Sequence, residues 1–168
     1  MSQEKLYIFF QIIIVTVLIP FLVFFLLRAT GNIDSMMAAK ASQRKIPLLF
    51  HCFLIILLVR NRITIDLYPE LHFFLLGGLM SSLLALILLF VRIKASLHMI
   101  AISSLTVFII GLSLHLHIQS FFTVAILLVI NGFVATSRLE MKAHTNKELL
   151  LGFVLGIIPQ FLLLALWL

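Results

Sequence analysis

Six apolar runs occupy most of this chain, and they constrain its fold more than any other feature. They are roughly Leu6–Leu27, Ile46–Val59, Leu71–Val91, Leu97–Leu114, Phe121–Ala135 and Leu149–Leu168. A membrane-spanning helix needs about 20 apolar residues at a rise of about 1.5 Å each. The first, third and sixth runs reach that length comfortably. The second and fifth hold about 14 and 15 residues, so they are expected to need bilayer thinning, snorkelling cations at their ends or shelter inside a bundle. None of the runs alternates polar with apolar residues, which argues against a membrane barrel. The expected fold is all-α: a polytopic bundle of six transmembrane helices, forming one integral membrane domain over residues 1–168.

Composition points the same way. Hydrophobic residues make up 63% of the chain and charged residues 11%, whereas a soluble globule carries about a quarter charged residues. The formal charge is +6, from 12 Lys and Arg against 6 Asp and Glu. In a membrane chain, loop cations that set topology account for such an excess, and anionic headgroups are its natural partners. No basic patch carries the interleaved aromatics of a nucleic-acid binder, so no nucleic acid is expected. The lone Cys52 lies within an apolar run and offers neither a disulfide framework nor a cysteine metal motif. The first run lacks a small-residue cleavage pattern and reads as a retained helix.

Six spans bring three loops distant in sequence to one face. That face holds nine cations: Arg28, Lys40, Arg44, Lys45, Arg92, Lys94, Arg138, Lys142 and Lys147. The opposite face holds three, Lys5, Arg60 and Arg62. The positive-inside rule assigns the nine-cation face to the cytoplasm. Cations that hold an anion would not report topology, so the orientation stays open. Gly152 and Gly156 form a small-xxx-small pair, which predicts close helix packing, and Pro159 predicts a kink in the same helix.

The polar island Ser137–Glu148 carries Arg138, His144 and Glu148, and His98 lies just inside the fourth span on the same face. Two histidines, several cations and a carboxylate suit phosphate ester chemistry. Cations neutralise the phosphoryl oxygens, one neutral imidazole attacks phosphorus, and the other protonates the leaving oxygen. A carboxylate can fix the tautomer of the attacking ring. No metal-ligand set accompanies them; His115 and His117 sit two apart on the other face with no third ligand.

The spacing Ser137-Arg138-x5-His144-x3-Glu148 resembles the third signature of the type 2 phosphatidic acid phosphatase superfamily, with Glu in place of its final Asp. The family's second signature, Pro-Ser-Gly-His, falls on Ala95-Ser96-Leu97-His98, where Ser and His remain. Its first, Lys-x6-Arg-Pro, falls in Lys40–Pro47 with Lys40, Arg44, Lys45 and Pro47 present but out of register. The resembling core is about 40–168. The resemblance implies His144 as the nucleophile, Glu148 as its orienting partner and His98 as the general acid. Arg138, Lys40 and Arg44 would bind phosphate, no cofactor or metal is implied, and the substrate is a phosphorylated membrane lipid. With it goes the expectation of a multi-pass protein of the bacterial inner (cell) membrane.

Blander readings stand beside each of these. Thr145-x-x-Glu148 before an apolar run is also a capping box. Arg138, Lys142 and Lys147 are placed where interfacial anchors sit, and His98 where an interfacial polar residue would. Glu for Asp, and the lost Pro and Gly before His98, favour the alternative of a catalytically degenerate relative. Such a protein would bind a lipid phosphate or serve as a membrane subunit of a larger complex or homo-oligomer. His51 and His72 are expected to satisfy local hydrogen bonds inside the bundle.

Overall fold

The computed structural model describes residues 3–32 and 41–168, and among these every regular element is helical. Among the described residues, six helices are long and apolar enough to cross a membrane. The first span runs from α1 (Gln3–Ile13) through a five-residue π-helical stretch, Ile14–Leu18, into α2 (Ile19–Ala29). Pro20 in the first turn of α2 explains the interruption. It has no N–H to bond the carbonyl four residues back, so the helix widens locally to accommodate it. The remaining spans are α3 (Ala41–Asn61), α4 (Pro69–Phe90), α5 (Leu97–His115), α6 (Phe121–Glu140) and α7 (Asn146–Leu164).

The second and fifth spans are not short. α3 has 21 residues and α6 has 20, because each helix continues through its polar end, Ser42–Lys45 in α3 and Thr136–Glu140 in α6. Hydropathy stops at those cations, but main-chain hydrogen bonding does not. Arg44 and Arg138 therefore sit on helix ends and not on loops. α7 likewise runs through Pro159 without a break.

The bundle is organised around α7, which packs most extensively against α5 and then α4, while α3 packs on α4. Small residues make the α5–α7 contact close. A Cβ on Gly152 would meet the Ser96 carbonyl oxygen at 2.6 Å, and one on Gly156 would meet the Ile100 carbonyl oxygen at 2.5 Å and collide with Ser103 Oγ. Ser104 Oγ donates to the Gly156 carbonyl at 3.0 Å across this interface. Lipid tails supply no hydrophobic force between helices, so such close contact and interhelical hydrogen bonds carry the association. Buried Asn131 of α6 does the same, donating to Thr106 Oγ1 of α5 at 2.8 Å. One apolar cluster joins Leu48 of α3, Leu86 and Leu89 of α4, and Ile100 of α5 beneath the cationic rim.

The outer surface is apolar, with Phe121, Phe122 and Phe133 on α6 all strongly exposed. In water such a surface would be a liability; in hydrocarbon it is the matched solvent. At the opposite rim His72 Nδ1 is 2.7 Å from the Ile63 carbonyl oxygen, a local hydrogen bond as expected. His115 there lies 3.6 Å from Glu70 and packs edge-on against Trp167.

Candidate functional site

The site is assembled from the ends of four helices. α6 stops when Lys142 takes a left-handed conformation (φ 51°). The Ala143 N–H then donates to the Arg138 carbonyl at 3.1 Å and Lys142 N–H to that of Leu139 at 2.9 Å. This closure ends α6 at Glu140 and turns the chain through His144 into α7. Thr145 is the N-cap of α7, with its hydroxyl accepting from Glu148 N at 3.4 Å.

Glu148 completes the capping box and holds the histidine as well. Its Oε2 accepts from Thr145 N–H at 3.2 Å and lies 2.9 Å from His144 Nδ1. One carboxylate oxygen thus makes both contacts, to the helix cap and to the imidazole. With Nδ1–H donating to the carboxylate, Nε2 carries the lone pair. Arg44 Nη1, from the first turns of α3, approaches that Nε2 at 3.4 Å, a donor-to-lone-pair geometry that agrees with this tautomer.

The ring of His144 is only 4% exposed. Burial holds its pKa below the ordinary 6.5; the Glu148 hydrogen bond and charge pull upward, and the Arg44 and Lys94 charges add to the lowering. The imidazole is therefore neutral at pH 7, the state a nucleophile needs.

Ser96 pins α5 to α7. Its N–H donates to the Glu148 carbonyl at 3.2 Å, and the absent side chain at Gly152 lets the Ser96 backbone lie against α7. His98 follows two residues later, solvent-exposed and within electrostatic reach of Arg138, His144 and Arg44. Arg138 Nε is buried with no hydrogen-bond partner among the described residues. A buried guanidinium donor left unsatisfied is costly, and an anion at this position would relieve it.

His144, His98, Glu148, Arg138 and Arg44 thus converge on one rim of the bundle. Lys40 lies outside the described residues. Lys142 and Lys147 are exposed. Sequence reasoning counted Lys94 only as loop charge, yet its Nζ stands 3.8 Å from Glu148 Oε1. Its place four residues before His98, in the connection that leads into α5, is the signal that could have singled it out.

Fold and site together define a multi-pass helical membrane protein with a cationic, histidine-centred site at one rim. Comparison with protein-family models, with curated proteins and with solved structures returns no match for this chain.

Proposed function

We propose that the protein is a lipid phosphatase of the type 2 phosphatidic acid phosphatase kind, hydrolysing a phosphomonoester or diphosphate of a membrane lipid. The observation that carries this reading is the Glu148–His144–Arg44 line, with Nδ1 held at 2.9 Å and Nε2 facing a guanidinium at 3.4 Å. Arg44 in that place supports the first-signature reading despite its broken register.

In the proposed reaction Arg44 and Arg138 grip the phosphoryl oxygens. The His144 Nε2 lone pair forms the N–P bond as the bond from phosphorus to the leaving oxygen breaks. His98 donates its proton to that leaving oxygen, and the hydrocarbon chain stays in the bilayer. Water then attacks the phosphohistidine with His98 accepting a proton, and the N–P bond breaks to release phosphate. Lys94 acts through Glu148 as a positioning residue. A cell membrane is the proposed location.

Purified protein is expected to release phosphate from phosphatidate or a polyprenyl diphosphate with a chelator present. The acid limb of the rate profile is expected to fall below pH 6.5, because burial keeps His144 unprotonated there. Tight phosphate-lipid binding with no release from either lipid would instead favour the degenerate binder.

Glu148→Gln isolates the carboxylate charge, since Gln also closes a capping box and should leave the helix start intact. Turnover is expected to fall about 10²-fold. The charge and hydrogen bond of Glu148 both raise the His144 pKa, so the acid limb should move lower still. A limb that moved upward would contradict the assigned contact.

A further inference from the structure

We propose that the rim end of α3 carries a second anion site, on the side away from His144, that takes the headgroup of an anionic bilayer phospholipid. Arg44 and Lys45 are neighbours on one helix, and successive helical residues point about 100° apart. Arg44 reaches His144. Lys45 turns to the end of α4, where its Nζ lies 4.3 Å from the ring centroid of Phe90. One helix end thus offers a cation to each of two places.

A cleft of about 420 Å³ opens on the Lys45 side, lined by Ser42, Lys45, Leu89 and Arg92. Arg92 is held at the rim by the closure of α4. It sits at φ 63°, and the following Ile93 N–H donates to the Leu88 carbonyl at 2.9 Å. Lys45 of α3, Arg92 from the turn that closes α4 and the Ser42 hydroxyl line the cleft beside buried Leu89. A smaller cleft of about 170 Å³ shares Ser42 and adds Leu27, Asn32 and Ile46. Among the described residues no carboxylate lines either cleft.

This order of groups selects the ligand. Two cations and a hydroxyl suit a phosphodiester. The apolar walls beside them, together with exposed Ile46, Phe90 and Val91 at the bilayer edge, suit the acyl chains of the same molecule. Basic clefts between spans at the membrane rim bind anionic headgroups by this combination. A bare phosphate ion would use the cations and leave the apolar walls uncovered. The inference does not depend on the phosphatase reading, because neither Lys45 nor Arg92 takes part in the chemistry proposed at His144.

The test measures binding of phosphatidylglycerol, phosphatidylcholine and inorganic phosphate to the full chain, in a His144→Ala background that excludes hydrolysis of the probe. Phosphatidylglycerol is expected to bind more tightly than phosphatidylcholine, and millimolar inorganic phosphate should not displace it. Each basic side chain near a membrane surface strengthens such attraction about fivefold, so removing both should weaken it about 30-fold. Lys45→Gln and Arg92→Gly serve separately and together; glycine suits the left-handed position, so Arg92→Gly is not expected to disturb the fold. Unchanged affinity in the folded double variant would overturn the proposal. So would equal binding of phosphatidylcholine, or displacement by inorganic phosphate, which would mark a simple phosphate site.

Discussion

His144→Ala is expected to reduce phosphate release from a lipid phosphate by about 10⁴-fold or more, to the background of the assay. No other described side chain presents a neutral nitrogen lone pair held by a carboxylate and faced by a guanidinium. Substrate should still bind, because Arg44 and Arg138 remain. The loss should therefore appear in kcat and not in KM. The fold should survive, since the α7 cap is made by Thr145 and Glu148 and not by the imidazole. A folded variant that keeps even a tenth of the activity would remove His144 from the nucleophile's role.

Gly156→Val is expected to destabilise the bundle by roughly 3 kcal/mol, as a lower melting temperature in detergent. The added Cβ would stand 2.5 Å from the Ile100 carbonyl oxygen and collide with Ser103 Oγ. Both belong to α5, which has no flexible side-chain tip to yield at the carbonyl. Forcing α5 from α7 also parts Ser96 from Glu148, and so His98 from His144; activity should fall with stability. Gly132→Ala is the control. A Cβ there meets nothing within 4 Å, and the helix should gain about 0.5–1 kcal/mol. Equal effects at the two positions would contradict the close α5–α7 contact.

Much of the architecture was legible in the sequence because hydrocarbon is an unforgiving solvent. A backbone that crosses it must satisfy its own hydrogen bonds, so apolar runs of sufficient length declare helices. Helix ends were less legible. Hydropathy falls at Lys45 and at Thr136, which makes the apolar runs of α3 and α6 short, yet each helix continues for about one more turn through Arg44 or Arg138. Cationic side chains can leave the bilayer while the helix backbone carries on. The island around His144 was readable because its contacts are local: Thr145, Glu148 and His144 lie within one turn of each other. Lys94 was not, since its contact with Glu148 spans the α5–α7 interface.

The sequence by itself determined that this is a six-span helical membrane protein with its polar chemistry on one rim, because solvent matching and span count act on composition and order alone. Only the tertiary structure decided which cation faces which nitrogen. The pairing of Arg44 with His144, 100 residues apart, the seating of Ser96 on Gly152 and the turning of Lys45 to a separate cleft depend on how closely helices approach. That approach is set by the small residues at their interfaces.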